Sequence, residues 1–269
     1  MDEKMIIAIL SGGIIFVIGI VIVTRYFVKR SIIPNLKSLE EVFAEKNKAI
    51  ESLENEKKQL LGERAEIIKE MHDRIINNLQ IVVSLLNTQS YYLKNGAALK
   101  AIRISQQRMY AISLIHHVLN QSEDYSRLNI RNYIYELVES LKDRMEVGGS
   151  IHFDIRVENI LLDLNRGAPL GLILNEAIAN SIAYGFPDES GGTISISLIH
   201  IPEENQLLLT ISDNGRGFPE NRDIDKMDSF GIRLMEGLCG QLGGQFRLDG
   251  REGVKIRVSF AYPGDTKTI

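Results

Sequence analysis

Asn175-Glu176-Ala177-Ile178-Ala179-Asn180, followed downstream by Asp213-Asn214-Gly215-Arg216-Gly217-Phe218-Pro219, is the stretch whose reading decides the fold. Glu176 and Asn180 stand at i and i+4 and share one face of a helix. A carboxylate there can accept a proton, and an amide oxygen one turn on can ligate Mg²⁺ carried by a triphosphate. Asp213 closes an alternating apolar run, where a carboxylate can accept from an exocyclic amine. Gly215 and Gly217 let backbone approach a base and ribose. An ordinary Asn-Gly turn is the rival reading of the loop. Ser229-Phe230-Gly231-Ile232-Arg233-Leu234 then opens a further helix, whose N-terminal amides favour phosphate. These three elements, in this order and context, seldom arise by chance and look like a nucleotide pocket.

Around them the pattern predicts helices over 130–145, 169–184 and 231–242, and strands over 151–157, 193–201, 206–212, 245–248 and 254–260. Gly148-Gly149 and Gly243-Gly244 punctuate the run. Antiparallel strands interspersed with helices read as a two-layer α/β domain within an α+β chain.

Upstream lies Glu70-Met71-His72-Asp73-Arg74-Ile75-Ile76-Asn77-Asn78-Leu79-Gln80. Ile68, Met71, Ile75, Leu79, Val82 and Leu86 recur every three or four residues, as on an amphipathic helix. Lys94-Asn95-Gly96 breaks it, and a second helix over 97–120 carries Leu99, Ile102, Met109, Ile112, Ile115 and Leu119. Such a hairpin wants a partner, and a dimeric four-helix bundle supplies one. His72 lies one position beyond Met71, which places its ring at the edge of the apolar stripe, accessible to a reactant. Asp73 is placed to orient the ring or accept its proton as a nitrogen attacks phosphorus. His116 and His117 on the second helix compete for that role. His152 and His200 fall on strands and read as surface residues.

Residues 5–24 carry no charge and at about 1.5 Å per residue would span roughly 30 Å, a bilayer core. Arg25, Lys29 and Arg30 follow, so the positive-inside rule predicts a single-pass cell-membrane protein with its C-terminal part cytoplasmic. A cleaved signal peptide fits less well, because the first residues are not clearly positive and no small-x-small site precedes Arg25. Only about four residues would lie outside, so a signal would arrive through the membrane, a separate membrane sensor protein or the cytoplasmic side. From Leu36 a heptad runs through Leu39, Phe43, Ile50, Leu53, Leu60, Ile67 and Met71. Lys46, Lys57 and Arg64 interrupt this expected coiled coil. The 35 acidic and 31 basic side chains give no global reason for nucleic-acid binding. The single cysteine, Cys239, sits among leucines and reads as a small buried residue. No His/Cys/carboxylate spacing points to a structural metal site.

The chain resembles the sensor histidine kinases of two-component systems, in the subgroup whose acceptor box is close to E-x-H-H-R-x-x-N-N-L-Q. Residues 70–80 fit that box, with Leu85-Leu86-x-x-Gln89 after it, and Arg108-Met109-x-Ala111-Ile112-x-Leu114-Ile115-His116 resembles the second hairpin helix. Residues 169–180 with Phe186-Pro187 resemble the N box, 213–219 the first glycine box and Gly231-Ile232-Arg233-Leu234 the second; Gln241-Leu242-Gly243-Gly244 also fits. The resemblance implies a Bergerat-type ATP-binding fold shared with gyrase and Hsp90. It implies His72 as the phosphorylated residue, with Asp73 and Glu176 assisting, and a nucleotide held at Asn175, Asn180, Asp213, Gly215, Gly217, Gly231 and Arg233. By that analogy Asp213 reads adenine, Asn180 holds Mg²⁺ and residues 219–229 form a mobile lid.

Three positions depart from the subgroup. Asp73 replaces its second histidine and Ile76 a usual lysine. Ala183 stands where a basic residue normally precedes the aromatic at Tyr184, a loss of about 1.5–3 kcal/mol if that cation met phosphate. The expected organisation is a membrane anchor at 1–30, a coiled-coil linker at 31–66, a dimerisation and phosphotransfer hairpin at 67–125 and an ATP-binding domain at 126–265. The expected function is autophosphorylation of His72 from ATP with Mg²⁺ in a homodimer, then transfer to an aspartate of a response regulator. Rival functions are a catalytically weak ATP-binding scaffold, favoured by Ala183, and a response-regulator phosphatase using Asn77 and Gln80.

Overall fold

A computed structural model of the chain describes residues 3–122, 124–145, 147, 150–186, 191–218 and 230–262. It divides into two units, Met1–Arg64 and Ala65–Ile269. The Gly148-Gly149 break, Pro187, Pro219, Ser229 and the lid at 219–229 lie outside the described residues.

In the first unit α1 (Glu3–Phe27) runs into a π-helical turn (Val28–Ile32) and the start of α2 (Ile33–Tyr92). The membrane placement expected from residues 5–24 does not stand. Among the described residues no helix is long and apolar enough to cross a membrane. The heptad positions Leu36, Leu39, Phe43, Ile50, Leu53 and Leu60 are all more than half exposed on the single chain.

The second unit begins with the C-terminal part of α2, which ends at Tyr92, and α3 (Gly96–Gln121). Asn95 caps α3, its side chain accepting from the Ala97 and Ala98 amides, which satisfies donors the first turn cannot. β1 (Arg127–Asn129) and α4 (Ile130–Arg144) follow, then β2 (Ile151–Val157), β3 (Leu161–Asp163) and α5 (Leu164–Asn180). β4 (Gly192–Ile201), β5 (Gln206–Asp213), α6 (Phe230–Gln241), β6 (Gln245–Asp249) and β7 (Lys255–Ala261) complete it.

The main sheet has the order β2-β4-β5-β7-β6. It is not wholly antiparallel, as the strand pattern predicted: β2 pairs parallel with β4. The reason is the intervening α5, a helical crossover that returns the chain in the same direction. β1 and β3 form a separate antiparallel pair, each too short for an alternating pattern to announce it. Alternate residues Ile194, Ile196 and Leu198, then Leu207, Leu209 and Ile211, are buried in one core with Leu170, Ile173, Leu174 and Ile178 of α5. At about 1.5–3 kcal/mol for each large side chain removed from water, this layer carries the domain's stability.

The hairpin packs on α5 through a close approach. A Cβ at Gly171 would lie 3.0 Å from Ile115 of α3 and from the Tyr133 ring. Tyr133, buried on α4, donates its hydroxyl to the Gly171 carbonyl at 3.3 Å. One phenol thus touches α4 and α5 while lying beside α3.

Candidate active site

His72 is buried, 2% exposed, where the amphipathic pattern predicted an accessible ring. The pattern places it on α2 but not what covers it. Its Nδ1 lies 2.8 Å from Nδ1 of His116, and its Nε2 lies 3.0 Å from the backbone oxygen of Tyr125. A carbonyl only accepts, so Nε2 carries a proton in this arrangement. The contact with His116 needs one proton between the two Nδ1 atoms. Both ring nitrogens are therefore engaged, and neither offers a free lone pair to phosphorus. Burial first, then the neighbouring His72, lowers the pKa of His116 to about 4, so His116 is neutral near neutrality. Asp73 is exposed and takes Asn120 Nδ2 at 2.5 Å rather than the ring.

A cavity of about 880 Å³ opens beside α5. Glu176, Asn180 and Tyr184 line it with Asp213, Gly217, Phe218, Phe230 and Gly231, and α3 contributes Ala101, Ile104, Ser105 and Arg108. That volume lies within the range of small-molecule sites, roughly 300–1,000 Å³. Asp213 is 6% exposed. Its Oδ1 accepts from the amides of Gly215 at 3.0 Å and Val254 at 3.1 Å, and its Oδ2 accepts from the Ser181 hydroxyl at 2.6 Å. A carboxylate has about four acceptor positions, so one is left for a ligand donor. Gly215 fits only as glycine: a Cβ would stand 2.3 Å from the Gly185 carbonyl. Gly217 has φ +64, a conformation that costs an L side chain about 1–2 kcal/mol.

Glu176 is engaged as well. Arg108 of α3 donates Nε to Oε1 at 2.7 Å and Nη2 to Oε2 at 3.0 Å, a bidentate pair between a 19% and an 8% exposed side chain. The guanidinium also stacks over Phe230, 4.8 Å from its ring centre. Removing either partner would strand a largely buried charge. The donor set suits nucleotide and Mg²⁺: a ring of glycines, a buried carboxylate with one open acceptor, and an amide, Asn180. Among the described residues no cluster of three or more His, Cys, Asp or Glu forms a metal cage. Mg²⁺ commonly reaches such sites on substrate phosphates with few protein ligands.

Of the predicted residues, Glu176, Asn180, Asp213, Gly217 and Gly231 share this cavity, whereas Asn175, Gly215 and Arg233 are not in its lining. Asn175 is fully buried, and its side-chain amide has no hydrogen-bond partner among the described residues. Arg233 is exposed on α6. His117 and His152 are exposed, while His200 is half-buried with its ring edge-on to Tyr262. Cys239 is buried, and burial raises its thiol pKa. Sequence reasoning missed Ser181, Arg108 as a partner of Glu176, and the Tyr125 carbonyl. A hydroxyl one residue after Asn180 was the only local signal for the first.

A helical hairpin with an inward histidine, packed on a sheet-and-helix nucleotide fold, defines the catalytic core of a protein-histidine kinase. Residues 70–145 match the family described as histidine kinase, and residues 165–264 match the family described as histidine kinase-, DNA gyrase B- and HSP90-like ATPase. The two matches and the relatives below support a two-component sensor histidine kinase. It is 28% identical over 189 residues to the sensor histidine kinase PdtaS of Mycobacterium tuberculosis, covering 70% of this chain and 36% of that protein. It is 26% identical over 216 residues to the nitrate/nitrite sensor protein NarX of Escherichia coli, covering 75% and 33%. The chain thus spans about a third of the length of these curated relatives. In fold it is similar to a blue-light-activated histidine kinase of Erythrobacter litoralis, with a TM-score of 0.56 at 18% identity, covering 74% of this chain and 62% of that one.

Proposed function

We propose that this chain is a homodimeric sensor histidine kinase that phosphorylates His72 from ATP and passes the phosphoryl group to an aspartate of a response regulator. The observation that carries the reading is the shared cavity of Glu176, Asn180, Asp213 and Gly231, within the unit that also holds the buried His72. Adenine would donate its amine to the open acceptor of Asp213, and the triphosphate would lie toward Asn180 and the start of α6. A ring nitrogen of His72 attacks the γ-phosphorus, the bond to the β,γ-bridging oxygen breaks, and ADP leaves. The ring proton passes to Glu176 or Asp73. Mg²⁺ held at Asn180 would neutralise phosphate charge. On the hairpin, Ile81 and Leu85 are each 60% exposed. A second copy that covers these residues and the heptad side chains of α2 completes the bundle and the coiled coil.

The test is incubation of the full chain with γ-labelled ATP and Mg²⁺. An acid-labile, alkali-stable label is expected, and His72→Gln should abolish it while leaving ATP affinity within about twofold. Label that survives the substitution overturns the assignment. The closed state of His72 favours a second reading, a weak kinase or a regulator phosphatase. Asn77 and Gln80, both exposed on α2 beyond His72, would position water there. Regulator dephosphorylation indifferent to loss of both amides would dismiss the phosphatase role.

A further inference from the structure

The cavity's charges are unevenly placed. Among the described residues lining it, the cations are Arg108 and Arg216, set against the carboxylates Glu176 and Asp213. Arg216 is exposed and belongs to the glycine loop beside Asp213, its amide bonded to the Gly185 carbonyl at 2.9 Å. The other end is formed by Glu176, Asn180 and Gly231. A Cβ on Gly231 would lie 3.1 Å from the Glu176 carboxylate and 3.5 Å from the Asn180 amide. The cation at this end, Arg108, comes from the hairpin. Ala183, on the turn after α5, is exposed and uncharged.

A guanidinium carries about five N–H donors in a fixed fork. Arg108 spends Nε and one Nη2 donor on Glu176, which leaves, among the described residues, the second Nη2 donor and both donors on Nη1. Charge-assisted contacts of a planar fork suit phosphate oxygens. The ion pair also masks a carboxylate that would otherwise repel the terminal phosphate.

Building on the nucleotide reading above, we infer that Arg108 is the γ-phosphate-binding cation of this site, supplied by the hairpin. Its fork bridges the Glu176 carboxylate and the terminal phosphate, so ATP is held most tightly when α3 is packed on α5. ADP, which lacks that phosphate, does not gain from the contact. Discrimination between ATP and ADP therefore reports the position of the hairpin, and by reciprocity ATP favours the packed arrangement.

The experiment is titration of ATP and of ADP, each with Mg²⁺, into the full chain and its variants. Arg108→Gln should weaken ATP by about tenfold or more and ADP by less than about threefold, the loss expected for one charge-assisted contact. Because Arg108→Gln leaves Glu176 buried without its partner, Glu176→Gln and the double variant Arg108→Gln/Glu176→Gln are measured beside it. The double variant, compared with Glu176→Gln alone, should show the same ATP-selective loss. Equal weakening of both nucleotides, or no weakening, overturns the assignment while leaving a labelled His72 and the kinase reading intact. A wild-type chain that binds neither nucleotide overturns the nucleotide reading itself, and this inference with it.

Discussion

Asp213 divides its two oxygens between jobs. Oδ1 is saturated by the amides of Gly215 and Val254, while Oδ2 takes the Ser181 hydroxyl. Asp213→Asn can keep its amide oxygen at the Oδ1 place and turn its NH₂ toward Ser181, whose oxygen accepts as readily as it donates. The fold should therefore change by less than about 1 kcal/mol, but the acceptor left for a ligand becomes a donor. ATP affinity should fall by about tenfold or more, the cost of an unmatched buried polar group. Asp213→Ala orphans both amides and should cost roughly 1–3 kcal/mol of stability besides. Thermal unfolding and nucleotide titration check the pair, and equal melting temperatures for the Ala and Asn variants would defeat this account.

At the scale of elements, the helix pair α2–α3 is linked through two imidazoles. His116 has its folded-state pKa lowered to about 4 from an unfolded value of 6.5, by burial and then by His72. Between those values the unfolded chain binds the proton and the folded one does not. The stability that the neutral ring contributes is complete above pH 6.5 and is lost as pH falls toward 4. The groups facing it are the His72 ring and, beyond that ring, the Tyr125 carbonyl. His116→Gln should flatten this acid dependence relative to wild type in denaturant unfolding measured across that window. Parallel curves for the two proteins would remove His116 as the cause.

Over the whole second unit, the two ends of the proposed reaction are held apart from their chemistry. His72 has both nitrogens engaged, and Glu176 is clamped by Arg108. The His116 contact to His72 and the Arg108 clamp both come from α3, which packs on α5 at Gly171 and lies beside Tyr133 of α4. A movement of α3 would free Nδ1 of His72 and Glu176 together. The phosphoryl transfer proposed above requires such an opening, and so does attack on the ring by a reagent. His72 should react with diethyl pyrocarbonate about tenfold or more slowly than the exposed His117 and His152, because modification must wait for local opening. Peptide mapping after timed exposure measures it. Equal rates would mean that the ring is not enclosed in solution.

What the sequence determined by itself is what repeats or lies close along the chain. The 3.6-residue period marked α2 and α3, alternation marked β2, β4, β5 and β7, and i,i+4 spacing put Glu176 and Asn180 on one face of α5. Those features are local, because each is enforced by backbone geometry within a few residues. The tertiary structure decided what those faces meet. Arg108 and Glu176 are 68 positions apart and His72 and His116 are 44 apart, separations at which no period survives to pair them. It also decided that β2 runs parallel to β4 and that His72 is covered. A carbonyl from the turn after α3 closes the ring's second nitrogen, and a backbone oxygen leaves no mark in the side-chain pattern.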